Sequence, residues 1–337
     1  MTTIPCPPVE CVAPLVAEVE MSSPEAVVPV PIEQTSARRR RFRRGSGDHG
    51  WLGYLFVAPN FIGFSIFTLL PLIFAFVVSF ADWDVVSGID GITWVGLKNF
   101  TDILHDGNFW QSVRLTLYYV GLSVPLTTAA GLLVALALNG PVPGRGVLRL
   151  IFFIPFIANS VAIASTWILL YHPRYSPLNN TLRMLGIENP PLWLASSQWA
   201  MPALIIMAVW AGAGYAAVIY LAALQSLPPD LYEAAELDGA GAFEKFKAIT
   251  WPLLTPTTFF LLVTGFIGAS QSFGMINLMT NGGPGRATTV LSYYIYQNGF
   301  QFYRFGYAAA MAWFMFAAVL IMTLLLWWVQ RRAVTYD

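Results

Sequence analysis

Charge is what this sequence has least of: Asp, Glu, Lys and Arg make up 11% of 337 residues, where an ordinary soluble domain carries about 25%. A water-facing exterior over most of the chain is thereby excluded. Cysteine is scarcer still, with Cys6 and Cys11 the only two. Both lie in an N-terminal tail expected to face a reducing compartment, so no disulfide is expected, and their spacing without a neighbouring histidine fits no zinc pattern. The three histidines, His49, His105 and His172, fall in the tail and in two separate loops, and no His-Glu-x-x-His helix or Gly-x-Ser-x-Gly elbow occurs. Nothing assembles a nucleophile, a base and an orienting group, so no catalytic or metal-ligating set is expected. A phosphate-binding G-x-x-x-x-G-K-[ST] loop is missing as well. The glycines of GPVPGRG at 140–146 and NGGPG at 281–285 lack the following Lys and Ser or Thr and read as turns.

What fills the chain instead is apolar: 56% hydrophobic residues and a mean hydropathy of +0.60. A helix needs about 20 apolar residues to cross the hydrocarbon, and six uncharged stretches reach that length, at 52–80, 115–138, 150–171, 199–224, 257–280 and 305–329. The expected fold is an all-α integral membrane protein with six transmembrane helices. Twelve of the eighteen Lys and Arg fall on one side of it if both termini are cytoplasmic: Arg38–Arg41, Arg43, Arg44, Arg145, Arg149, Lys245, Lys247, Arg331 and Arg332. Positive flanks are retained in the cytoplasm, which favours that orientation.

Residues 1–50 are a different material, rich in Pro, Val, Glu and Ser and ending in RRRRFRR at 38–44. They read as a disordered cytoplasmic tail whose basic run is a retention signal held to anionic lipid headgroups, with no nucleic-acid partner. The first apolar stretch is too long for a cleaved signal peptide.

Within the remainder, 51–337, the loop at 225–256 is the most informative segment. From Gln225 to Pro252 it carries Asp230, Glu233, Glu236, Asp238 and Glu244 against Lys245 and Lys247, a net charge that an anionic membrane surface repels. Asp230 is placed to cap a helix over 231–237 with Glu233 completing the pair, Asp238 and Gly239 offer a break, and 240–249 can form a second helix before Pro252 opens the next span. Four alanines leave a close-approach surface, and Leu231, Tyr232, Phe243 and Phe246 supply apolar anchors suited to a protein groove. A hairpin packed on the protein's own helices fits the composition equally well.

The stretch EAAELDGAGAFEKFKAITWP resembles the EAA signature of the permease subunits of binding-protein-dependent ABC importers. Glu233, Ala234, Ala235, Gly239, Ile249 and Pro252 stand at its motif positions, with Trp251 where Leu is usual. Segments 79–104, 148–171, 220–240 and 278–300 are similar to the carbohydrate-uptake branch, of maltose and glycerol-3-phosphate type. The resemblance runs from about Trp51 to the end. It implies the type I importer permease architecture in a bacterial inner membrane, where the chain forms half of a pore with a second permease subunit. Two ATP-binding subunits would hold ATP and Mg, this chain having no cofactor, and an extracytoplasmic solute-binding protein would deliver a sugar or polyol. The EAA loop would then be the coupling helix in the ATPase cleft, with Asp238 and Gly239 setting its turn and Phe246 among its anchors.

Sugars are held by uncharged polar groups and flat aromatic faces. Candidates for the solute path are Trp210 and Tyr215 in the fourth span, beside Gly212 and Gly214, and Ser270, Gln271, Ser272 and Asn277 in the fifth. In relatives the matching helices line the sugar site, which favours Tyr215, Gln271 and Ser272. The same small and polar residues also suit helix packing. An ion-coupled secondary transporter is the rival reading; the lack of an ionisable residue inside a span weighs against it.

Overall fold

The computed structural model describes residues 50–140 and 143–333. The cysteines, the basic run and the rest of the tail before Gly50 lie outside the described residues. Two compact units are distinguished, Met1–Val57 and Ala58–Asp337. The first is described only from Gly50, where a helix starts; all packing described below belongs to the second.

Among the described residues, five helices are long and apolar enough to span a bilayer: Tyr54–Val78, Gly107–Asn139, Ala200–Gln225, Ala242–Ser270 and Phe305–Gln330. A sixth crossing is a pair of shorter helices, Arg145–Ile157 and Ser160–Leu170, bent by 97°. The uninterrupted span expected at 150–171 is therefore corrected to a broken one. Pro155 withholds a backbone donor near the end of the first piece, Ala158 turns extended (ψ 150°), and the Asn159 side chain accepts from the Val161 N–H at 2.8 Å to start the second. A proline followed by a strong N-cap residue ends one helix and begins another, even inside an apolar run.

Other boundaries also move. The second span begins at Gly107 rather than 115, because the Asp106 carboxylate caps it by accepting from the Asn108 N–H at 2.8 Å. The fifth begins at Ala242 and ends at Ser270, so the stretch expected at 257–280 is shifted towards the N-terminus and its last third becomes a separate short helix, Phe273–Met279.

Two five-residue π turns, Ser65–Leu69 and Phe246–Thr250, each stop two residues before a proline, Pro71 and Pro252. A proline ring collides with the carbonyl four residues back, and widening the preceding turn relieves that collision without ending the helix.

The second and fourth spans form the largest helix interface. Small residues permit it: a side chain at Gly131 would run into the Cβ of Ala216, the close approach that lipid-embedded helices use in place of a hydrophobic drive. Around this pair a core gathers from Tyr119, Val124, Leu204, Met207 and Ile276, and a second one nearer the chain's acidic loop from Leu132, Tyr220 and Leu254. A third cluster, with Ile103, Phe109, Tyr294 and Tyr307, packs the opposite end. There a two-residue antiparallel ladder pairs Ala81–Asp82 with Thr93–Trp94, and the buried Asn99 amide donates to the carbonyls of Ser79 and Ala81 at 3.0 and 2.8 Å, closing the end of the first span.

Candidate functional site: a hinged elbow and a charge-free cavity

The acidic loop folds as one short helix, Pro229–Leu237, and a turn, after which the chain enters the fifth span directly. Two expectations are corrected here. No side chain caps the short helix: Pro228 is its N-cap and Pro229 its first residue, a position where proline loses nothing. Asp230 and Glu233 therefore make no capping pair. Nor is there a free second helix ahead of Pro252, since Ala242 begins a helix continuous with the span.

The turn is a Schellman motif. Ala240 N–H donates to Ala235 C=O at 2.9 Å and Gly239 N–H to Glu236 C=O at 3.0 Å, with Gly239 at φ +81°, the left-handed conformation that glycine adopts freely. Glu244 accepts from the Gly241 N–H at 2.8 Å to start the second arm. Two struts fix the angle between the arms: Lys245 Nζ to Glu236 Oε1 at 2.7 Å, and Tyr232 Oη with Thr250 Oγ1 at 2.9 Å. The hydrogen bond and charge of Lys245 hold the Glu236 carboxyl below its ordinary range. Glu233, Ala234, Asp238, Gly239 and Pro252 are exposed, and Ala235, Phe246 and Ile249 half-buried. Two apolar side chains flank the turn in solvent: Leu237 is 90% exposed and Phe243 75%. Leu237 was not among the apolar anchors expected from the sequence, where it only marked the end of the helix over 231–237.

Between the second, third, fourth and fifth spans lies a cavity of about 570 Å³, within the usual range for small-molecule sites. It meets the broken span at the break itself, through Pro155, Phe156, Ala158 and Ser160. Tyr119, Ser123, Thr127, Thr128, Thr264 and Ser272 bring hydroxyl-bearing side chains to its wall, and none of its lining residues is an acid, a base or a histidine; the Thr128 and Thr264 hydroxyls donate to the Val124 and Phe260 carbonyls of their own helices. Ser123 is 3% exposed, and its Oγ has no hydrogen-bond partner among the described residues. Phe156 and Tyr215 contribute stacked rings, 4.5 Å between centroids and 21° apart.

Of the residues proposed for the solute path, Tyr215 and Ser272 line this cavity. Trp210, Gln271 and Asn277 do not. Trp210 is 48% exposed and meets Trp167 edge-on at 5.5 Å, Gln271 caps the end of the fifth span, and Asn277 belongs to the short helix Phe273–Met279. The sequence reading missed the hydroxyls of the second span and both sides of the break. Its overlooked signal was Pro155 with Asn159-Ser160 amid apolar residues.

A third polar cluster sits at the opposite end from the elbow. Asp106 Oδ2 accepts from Tyr294 Oη at 2.6 Å and Tyr307 Oη at 2.9 Å. The guanidinium of Arg286 lies 5.0 Å from the Tyr294 ring and that of Arg304 4.6 Å from the Tyr307 ring. Burial raises the Asp106 carboxyl, but the two hydroxyls and the N–H groups of Asn108 and Phe109 together outweigh it and hold it below its ordinary range. Among the described residues no group of three or more His, Cys, Asp or Glu could hold a metal.

Residues 127–335 match the family described as "Binding-protein-dependent transport system inner membrane component". The chain is 38% identical over 273 residues to the trehalose/maltose transport system permease protein MalF of Thermococcus litoralis, covering 81% of this chain and 91% of that one. It is 34% identical over 273 residues to the sn-glycerol-3-phosphate transport system permease protein UgpA of Agrobacterium fabrum, covering 81% and 92%. A crystal structure of a bacterial alginate ABC transporter, in complex with its periplasmic protein bound to an alginate pentasaccharide, contains a chain that superposes with a TM-score of 0.73 at 28% identity, covering 84% of this chain and 94% of that chain.

Proposed function

This chain belongs to the binding-protein-dependent transport system inner membrane components, the permease subunits of ABC importers, and from that premise we propose that it conducts a neutral sugar through the cavity at its broken span. The observation that carries the reading is the chemistry of that cavity: hydroxyls and a stacked aromatic pair, with no acid or base. A sugar offers hydroxyls to the first and flat C–H faces to the second. A phosphate or uronate buried there would lack a countercharge, a costly arrangement. Relatives named for trehalose, maltose and sn-glycerol-3-phosphate, and the alginate transporter, span neutral and anionic cargo; the uncharged lining favours the neutral kind.

The elbow at Pro229–Gly241 is proposed as the coupling element, with Glu233, Ala234, Ala235, Asp238, Gly239, Phe246, Ile249 and Pro252 forming or supporting the face that enters an ATPase cleft. Two such ATPase subunits would bind ATP and Mg, a second permease would complete the pore, and a solute-binding protein would dock on the side of Asp106. Both termini are then cytoplasmic, as the distribution of Lys and Arg favours. Nucleotide-driven closure would swing the helices between two access states by rigid-body motion.

The test is reconstitution of the complete transporter in vesicles. Uptake of sugar presented by the binding protein is expected to require ATP and to survive collapse of proton and sodium gradients. Gradient-driven uptake by this chain alone would establish the ion-coupled carrier in its place.

A further inference from the structure

Ser272 lines the cavity, and from the next residue a run of aromatic rings leads away from it. Phe273 packs 4.5 Å from Tyr296, and Tyr296 stacks on Phe300 at 5.5 Å and 25°. Phe273 and Tyr296 are half-buried and pack against the core around Tyr119 and Ile276, whereas Phe300 is 61% exposed. Three carboxamides are interleaved with these rings in sequence: Gln271 two residues before Phe273, and Gln297 and Gln301 at the two ends of the π turn that carries Phe300. Gln271 and Gln301 are exposed and Gln297 half-buried. None of these three side chains has a hydrogen-bond partner among the described residues.

Rings alone would suit lipid. Three unpaired carboxamides do not, since each amide left without a partner in hydrocarbon costs several kcal/mol. An exposed ring at Phe300, flanked in sequence by planar groups that both donate and accept, suits a pyranose, whose C–H faces meet aromatic surface while its equatorial hydroxyls bond in the ring plane. The strip contains no acid or base, which again matches uncharged cargo. A π turn is itself uncommon and concentrates at functional positions.

We propose that Phe273, Tyr296 and Phe300 with Gln271, Gln297 and Gln301 form a second saccharide site, where a neutral sugar is held before it enters the cavity. The proposal rests on the reading of the cavity as the solute site. It extends the solute path from the cavity edge to the exposed Phe300.

The test uses the complete transporter in lipid nanodiscs with maltose and trehalose as probes, followed by saturation-transfer NMR and by uptake kinetics in vesicles. Phe300→Ala and Gln301→Ala alter exposed side chains. Each is expected to weaken sugar contact about tenfold and to raise KM without lowering kcat. Tyr215→Ala is expected to weaken binding in the cavity about tenfold while leaving contact at the strip. Wild-type behaviour of both strip variants overturns the second site. So does an effect confined to affinity for the sugar-free binding protein, which assigns the strip to a protein contact, and so does absence of contact by either sugar with the wild type. If the strip variants are silent while Tyr215→Ala is impaired, the second site fails and the cavity stands; if Tyr215→Ala is silent, the cavity reading fails.

Discussion

Gly214 lies against the backbone of Phe152, so closely that any side chain at that position would overlap the Phe152 carbonyl oxygen. The fourth span and the first piece of the broken span are thereby in backbone contact beside the cavity. Gly214→Ala is expected to force the two helices apart and to destabilise the protein by about 1–3 kcal/mol or more. Gly121→Ala in the second span, where an added methyl meets nothing within 4 Å, is the control and should leave thermal stability unchanged or raise it by up to about 1 kcal/mol. Scanning fluorimetry of the purified protein compares the two.

The clasp of Asp106 with Tyr294 and Tyr307 has a defined pH dependence. Its carboxyl is held below the ordinary 3.8, so the unfolded state takes up the proton first and the stabilisation is fully present above that value. It is lost as pH falls further, through the lowered folded value. Asp106→Asn leaves two buried hydroxyls with a poorer acceptor and is expected to cost about 1–3 kcal/mol. The difference in melting temperature between wild type and variant should be constant from pH 7 to about 4 and shrink below that.

At the elbow, Gly239 has open space around it, so conformation alone restricts what can replace it. Asn tolerates the left-handed region and Val does not. Gly239→Asn should retain most of the coupling between ATP hydrolysis and uptake, and Gly239→Val should lose it while membrane insertion stays normal. Equal uptake by the two variants would remove the turn from the coupling mechanism.

Tyr215 supplies one of the two stacked rings of the cavity. Tyr215→Ala is expected to weaken sugar binding about tenfold, while Tyr215→Phe, which keeps the ring face, should lose far less. Calorimetric titration of the nanodisc-embedded transporter separates the two.

Apolar length revealed the six crossings in the sequence, because a bilayer demands it of any helix. Helix ends were less legible: the starts at Gly107 and Ala242 depend on a cap from Asp106 and on a widened turn before Pro252, both local events that hydropathy averages away. The broken span was hidden for the same reason, since Ala158 and Asn159 hardly lower the apolarity of 150–171. Of the elbow, the turn could be read because it is a local motif with Gly239 where the left-handed residue must stand; its start, set by Pro228 and Pro229 in place of a side-chain cap, and its second arm, continuous with the span, could not. The cavity could not, since Ser123, Thr128, Phe156 and Thr264 come together only through the packing of four helices. Tyr215 and Ser272 emerged because aromatic and hydroxyl side chains within a span suggest a solute. Trp210 satisfied the same criterion and lies outside the cavity.

The second arm of the elbow and the edge of the cavity are two ends of one object. Ala242–Ser270 is a single helix of 29 residues, about 43 Å long, and Ser272 stands just past its end. A rod of that length tilted by about 10° carries its far tip some 7 Å, by ordinary trigonometry on the helical rise. Under the proposed coupling, a modest pivot beside Gly239 becomes a displacement the width of a sugar ring at the edge of the cavity.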